Sequence, residues 1–175
     1  MAKQAELQLR RNVEAKFRLP DVESVRRRAE AIGFEYAATL VQHDTFFASS
    51  NGKLKLRQQI DGDWLIYYER HREQGLELSN YQIVAVSEPL ELQRLLSAAL
   101  GVVAKVEKRR ILLRRANVRL HLDEVVNRGT FGELEAVIDI GGEPASVRAE
   151  IADILKTLQI PPEELIEVSY FELPP

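Results

Sequence analysis

Asn12-Val13-Glu14-Ala15-Lys16-Phe17 alternates polar and apolar side chains without a break. As a strand it turns Val13, Ala15 and Phe17 to one face and Asn12, Glu14 and Lys16 to the other. The same division recurs downstream. In Lys53-Leu54-Lys55-Leu56-Arg57, which opens a segment running to Ile60, the leucines oppose Lys53, Lys55 and Arg57. In Val118 to Val126, Val118, Leu120 and Leu122 oppose Arg119, His121 and Asp123, and in Phe131 to Ile140, Leu134, Ala136, Ile138 and Ile140 oppose Glu133 and Glu135. A sheet with one face on helices and one in water has this pattern as well. Two features favour a charged lumen. The charges are sorted, cations paired at i, i+2 on some strands and carboxylates on another, whereas a solvated face mixes both signs with Thr, Ser and Gln. Glu133 and Glu135, side by side, also repel unless a cation or base compensates them.

Around these strands the chain reads as a duplication. Further strands are expected at Tyr36 to Phe47, Trp64 to Arg70, Tyr81 to Val86 and Val102 to Leu113. Turn signals at Ser49-Ser50-Asn51-Gly52, Asp61-Gly62-Asp63 and Asn127-Arg128-Gly129 separate several of them. Three segments have helical period. Asp21 caps the first, whose face is Val22, Val25, Ala29 and Ile32 and whose stop is Gly33. Pro89 opens the second, with Leu92, Leu95, Leu96 and Ala99 on one face and Gly101 at the end. The third runs from Pro144 to Leu158 with Val147, Ile151, Ile154, Leu155 and Leu158 as its stripe; Pro161-Pro162 ends it and a short amphipathic tail follows. A strand, a helix ending in Gly and three longer strands thus occur twice, with Gly33 and Gly101 at equivalent points. Two βαβββ halves predict an α+β fold: an eight-stranded antiparallel β-barrel with helices packed outside, one domain over residues 1–175. Closing such a sheet turns its charged face into a tunnel.

Composition bounds the chemistry. The 175 residues are 45% hydrophobic and carry 24 Lys+Arg against 27 Asp+Glu, a formal net charge of -3. That acidic balance argues against a nucleic-acid polymer as partner. The absence of Cys excludes disulfides, thiolate nucleophiles, zinc ribbons and iron–sulfur clusters. No apolar run reaches the ~20 residues of a membrane span, and the first twelve residues lack the apolar core of a secretory signal. The expectation is therefore a cytoplasmic protein without a membrane partner; a homodimer is left open. Arg26-Arg27-Arg28 reads as a solvated helix face, His43 with Asp44 as a strand-end pair, and Trp64, Tyr67 and Tyr68 as packing, Tyr68 sharing its strand face with Arg70.

A lumen with acids on one wall and bases on another suits an anion bound through a divalent cation. A polyphosphate needs Lys and Arg along its length, Arg giving forked contacts to phosphoryl oxygens. Carboxylates hold Mg²⁺ or Mn²⁺, hard cations that prefer oxygen ligands. Phosphoryl transfer then needs positioning and charge neutralisation, with no Ser or Cys nucleophile.

At these residues the sequence resembles the CYTH superfamily, the triphosphate tunnel metalloenzymes that include class IV adenylate cyclases and thiamine triphosphatases. Asn12-Val13-Glu14-Ala15-Lys16 is similar to its ExExK signature. The likeness continues through Asp44-Thr45-Phe46-Phe47, Leu54-Lys55-Leu56-Arg57, Tyr68-Glu69-Arg70, Val106-Glu107-Lys108-Arg109-Arg110, Leu122-Asp123-Glu124-Val125 and Glu133-Leu134-Glu135, in order and over almost the whole chain. The resemblance implies an eight-stranded tunnel holding a small triphosphate: inorganic triphosphate, a nucleoside triphosphate or thiamine triphosphate. It implies one or two Mg²⁺ or Mn²⁺ ions on Glu14, Asp123, Glu133 and Glu135, and phosphate contacts from Lys16, Lys55, Arg57, Arg70, Lys108 and Arg110. Arg119 joins the phosphate side, and His121 shares its strand face. Glu14, Lys16, Glu133 and Glu135 are the implied catalytic set. Hydrolysis is the expected reaction; cyclisation of ATP to cAMP and pyrophosphate, and binding of a polyphosphate or nucleotide without turnover, are the alternatives. Four positions depart from the pattern. Asn12 stands for the first Glu, Lys55 for an Arg, Val168 for the Lys of a Lys-Ser-Tyr segment, and Arg128 for a Leu before Gly129.

Overall fold

The computed structural model describes residues 10–73, 76–139 and 142–173. Ile140, expected at the end of the last long strand, lies outside them. In chain order the elements are β1 (Arg10–Arg18), α1 (Val22–Ala31), β2 (Glu35–Phe47), β3 (Lys53–Gln58), β4 (Asp63–Glu73), β5 (Leu76–Val86), α2 (Pro89–Leu100), β6 (Val102–Arg115), β7 (Val118–Val125), β8 (Gly129–Ile138), α3 (Pro144–Thr157) and β9 (Leu165–Ile166). The strands pair in the order β5-β4-β3-β2-β6-β7-β8-β1, and a β1–β5 pairing closes the ring into an eight-stranded antiparallel barrel. Four pairings cross between the two βαβββ halves, β1–β5, β2–β6, β1–β8 and β4–β5, and the first two of them join equivalent strands.

Closure is why both faces of β1 are buried. Val13, Ala15 and Phe17 point outward into a core with Leu120, Leu134, Ile151 and Leu158, beneath α1 and α3. Asn12, Glu14 and Lys16 point inward and are no more than 7% exposed. Each large apolar side chain buried in that outer core is worth about 1.5–3 kcal/mol, and this is what holds the two helices against the barrel. Asp21 caps α1 by accepting from the Ser24 amide at 2.9 Å. Arg28 is half-buried and donates to the Leu158 carbonyl at 2.9 Å, pinning α1 to the end of α3. The arginine run is thus only partly a solvated face.

Three further expectations are modified. β5 begins at Leu76, five residues before the expected Tyr81: Leu76 and Leu78 alternate with inward Glu77 and Ser79, but Asn80 and Gln82 interrupt the outward apolar face and mask the continuity of the strand. The expected face of α2 is only half-buried at Leu92 and Leu96, and Leu95 is 65% exposed, so this helix seals nothing. The tail is more than an amphipathic extension. It makes a 3-10 turn at Pro162–Glu164, adds β9 alongside β1, and forms a second 3-10 turn at Tyr170–Glu172 with a capping box between Ser169 and Glu172. Among the described residues no helix is long and apolar enough to cross a membrane.

Candidate active site

The barrel encloses a cavity of about 390 Å³, within the range of small-molecule sites. Strand alternation delivers Glu14, Lys16, Lys55, Arg57, Arg70, Lys108, Arg110, Arg119, His121, Glu133 and Glu135 to its wall, so eleven expected site residues meet in one lumen. Asp123 sits behind that wall rather than on it.

The cations are organised by two aspartates, one in each half of the chain. Asp44 on β2 accepts from Lys55 Nζ at 2.9 Å and from both Nε and Nη2 of Arg57 at 2.8 and 2.7 Å. Asp123 on β7 accepts from Nε and Nη2 of Arg110, both at 2.6 Å, lies 3.2 Å from Lys108 Nζ, and accepts from the Tyr170 hydroxyl at 3.0 Å. A planar guanidinium clasped by two bonds cannot swing away, which fixes its remaining N–H groups toward the lumen. Burial disfavours both aspartate charges, yet the neighbouring cations overcome it and hold both carboxyls below the usual range. The lysines respond oppositely. Burial, and then the adjacent arginine, push Lys55 down to about 7 and Lys108 down to about 8.

Glu14 and Glu135 are partners across β1 and β8, with Lys16 opposite Glu133 one step along. Glu133 lies 3.1 Å from Arg110 Nη2, 3.3 Å from His121 Nδ1, 3.7 Å from Arg70 Nη2 and 3.9 Å from Lys16 Nζ. Glu135 accepts from the Asn12 amide and lies 3.5 Å from Arg119 Nη1. Glu14 touches Arg70 through Oε1, but the contact lacks hydrogen-bond geometry. Burial outweighs that contact and, with Glu133 nearby, pushes the Glu14 carboxyl up to about 8. Burial and Arg110 also push His121 down, favouring a neutral imidazole between the two acids.

Among the described residues no three acidic or His side chains are gathered as a ready-made metal cage. The donor chemistry still fits a hard divalent cation. Glu14 Oε1 and Asn12 Oδ1 lie two residues apart on one strand face, both buried and both without a hydrogen-bond partner. Unsatisfied buried oxygens beside Glu133 and Glu135 are what Mg²⁺ or Mn²⁺ would satisfy. Asp123, expected on the metal side, instead has both its oxygens engaged by Arg110, Lys108 and Tyr170.

Sequence reasoning left out two groups. Asp44 appeared only within a motif and as a strand-end partner for His43, although alternation places it inward in register with Arg57. Tyr170 reaches the lumen from the tail: Lys16 and Lys108 lie over its ring at 4.8 and 5.1 Å, and Phe131 packs beside it at 5.0 Å. The second 3-10 turn is tied down by Lys53, which donates to Ser169 and, at 2.7 Å, to Glu172, and by Arg128, which donates to the Leu173 carbonyl. Arg128 therefore anchors the tail, and Val168 is 42% exposed. His43 and Asp44 do not pair, being on opposite strand faces; His43 points outward, 3.8 Å from Glu107.

A Methanocaldococcus jannaschii protein named "Putative adenylate cyclase MJ0240" is 26% identical over 170 residues, covering 92% of this chain and 97% of its own length. The solved structure of the PH1012 protein from Pyrococcus horikoshii OT3 matches with a TM-score of 0.82 at 25% identity, over 93% of this chain and 98% of that one. HpAC1 from Hippeastrum matches with a TM-score of 0.63 over 91% and 93%, and at 18% identity this likeness concerns the fold alone. The family model described as the CYTH domain matches residues 10–170, the span that runs from the first strand of the barrel to the tail residue in its lumen, and the chain belongs to that family.

Proposed function

We propose that this protein hydrolyses a triphosphate seated along the barrel lumen. The observation that carries the reading is the crowding of Lys55 and Lys108 against Arg57 and Arg110 in a buried cavity, where two aspartates, with Glu133 beside Arg110, answer four cations. A string of phosphoryl groups supplies the remaining negative charge along a line. Arg57 and Arg110, held by their aspartates, present fixed N–H donors to it. Lys55 and Lys108 add point charges, and Lys16 and Arg70 reach the phosphoryl groups nearest the acids. Glu14, Glu133 and Glu135, with the Asn12 carbonyl oxygen, would hold Mg²⁺ or Mn²⁺. The bound cation would supply neutralisation of charge on the transferring phosphoryl oxygens. Positioning and electrostatics account for most of such a reaction, so no covalent nucleophile is required.

Cyclisation of ATP to cAMP and pyrophosphate is the second reading, favoured by the name of the M. jannaschii relative. The Hippeastrum fold neighbour is described as having a dominant triphosphatase activity, so that outcome also occurs in a barrel of this shape. The deciding experiment incubates the protein with tripolyphosphate, ATP or thiamine triphosphate, with and without Mg²⁺ or Mn²⁺, and measures orthophosphate, pyrophosphate and cAMP. Metal-dependent orthophosphate release is expected. Release of cAMP and pyrophosphate in its place would select cyclisation, and tight metal-independent binding without turnover would leave a binding module. Full activity after exhaustive chelation would remove the cation from the scheme.

A further inference from the structure

Beyond the paired cations the lumen changes character. Two residues along β2 from Asp44, on the same inward face, stands Gln42, followed on that face by Leu40. Leu40, Trp64 and Ile83 line the same cavity and are only half-buried, so apolar surface remains open inside the barrel. Inorganic phosphate chains gain nothing from an indole and aliphatic wall. A planar organic group attached to them does.

The amides at this position have a fixed polarity. Gln59 Nε2 donates to Asp61 Oδ1 at 2.6 Å, and a carboxylate can only accept. That bond determines which end of the Gln59 amide faces Gln42. Gln42 Nε2 then donates to Gln59 Oε1 at 2.7 Å, which leaves Gln42 Oε1 as the unengaged end. Gln42 is 2% exposed, and this oxygen is buried without a hydrogen-bond partner. A buried acceptor of settled identity, beside open apolar surface and next to a phosphate-type cation cluster, calls for an N–H on the group that the phosphates carry.

We propose that Gln42, oriented by Gln59 and Asp61, is the specificity-determining residue for a triphosphate ester of an amino-bearing nitrogen heterocycle, whose ring packs on Trp64 and whose N–H donates to Gln42 Oε1. Gln59 and Asp61 are positioning residues, acting through the Gln42 amide. The inference rests on the triphosphate reading above and adds to it the chemistry of the organic end.

The test compares kcat/KM for ATP, for purine riboside triphosphate, which lacks only the exocyclic amino group, and for tripolyphosphate. Wild type is expected to prefer ATP over purine riboside triphosphate by about 10- to 100-fold, the effect of leaving one buried acceptor unpaired. Gln42→Leu should bring that ratio close to one. Asp61→Ala changes an exposed turn residue, frees the Gln59 amide to flip, and should narrow the ratio as well; it decides the matter if Gln42→Leu does not fold. A wild-type ratio near one, or a ratio unchanged in the folded variants, overturns the proposal. Turnover of tripolyphosphate without discrimination between the nucleotides would sink this subsite and leave the triphosphate reading in place. Failure to bind or turn over any of the three would sink both.

Discussion

Each lysine crowded by an arginine makes ligand binding a proton-linked event. Lys55 near 7 and Lys108 near 8 are partly neutral at and above these values, whereas a phosphate chain binds best to their charged forms. Triphosphate affinity should therefore be highest below about pH 7 and fall as pH rises through 7 to 8, at up to about tenfold per unit for each lysine. Calorimetry in buffers of different ionisation enthalpy reads this as proton uptake, and Lys55→Arg, which stays charged, should remove one of the two protons. The free protein behaves oppositely. Its folded state holds fewer protons than the unfolded chain between these values and the ordinary lysine value near 10.5, so these two groups raise stability with pH across that window. The two walls also separate by kinetics. Glu133→Gln or Glu135→Gln should lower kcat by about 10²–10³, because charge neutralisation matters most in the transition state. Lys55→Ala should mainly raise KM, if its grip is equal in ground and transition states. Folded Glu133→Gln and Glu135→Gln variants that keep wild-type turnover would move the metal to another set of oxygens. Most of these residues are legible in the sequence because period-2 alternation assigns a strand side chain to a face without knowledge of its partner. Asp44 and Gln42 obey the same alternation, but an isolated Asp or Gln on a strand carries no signal until the cation or amide across the sheet is known. Tyr170 lies outside any periodic segment, so nothing local places it in a lumen.

At the scale of elements, β1 and β8 show how closely the strands are fitted. Gly132 faces Phe17 in the register of these strands, and a Cβ built there would overlap the Phe17 ring, which is fully buried. The requirement is space and not backbone conformation. Gly132→Ala should lower unfolding stability by about 1–3 kcal/mol through overpacking, seen as a lower denaturant midpoint with an unchanged slope. The turn before β3 has a different need. Gly52 adopts φ +62°, and a Cβ there would stand 2.6 Å from the Tyr68 carbonyl oxygen. Helices were legible in proportion to the core they cover. α1 and α3 present apolar stripes that the structure buries, while the stripe on α2 meets too little of the barrel to be covered. The tail was least legible, since short 3-10 turns and a two-residue strand owe their form to Lys53, Arg128 and the edge of β1.

For the molecule as a whole, the pairings β1–β5, β2–β6, β1–β8 and β4–β5 make each half the edge protection of the other. A fragment ending at Glu73 would leave β1 without any strand partner, expose unpaired edges on β2 and β4, and lack the β7 and β8 side of the outer core. Such a fragment is expected to show no cooperative thermal transition by circular dichroism, whereas the full chain should show one. The duplication was readable from the matched helix stops at Gly33 and Gly101, but the pairing of equivalent strands across halves was not, because register between distant strands leaves no mark on either one alone. The three-way pairing of β1 with β5, β8 and β9 bears on how the protein is made. Of the described strands β1 leaves the ribosome first, yet β8 and β9 emerge only when most of the chain has been synthesised. Until β5 emerges near the middle of the chain its backbone has no strand neighbour, and until β7, β8 and α3 are made its Val13, Ala15 and Phe17 side lacks most of its core, so the nascent chain depends on the pace of elongation, or on a holdase at the exit port, to keep that sticky segment from pairing with another copy of itself.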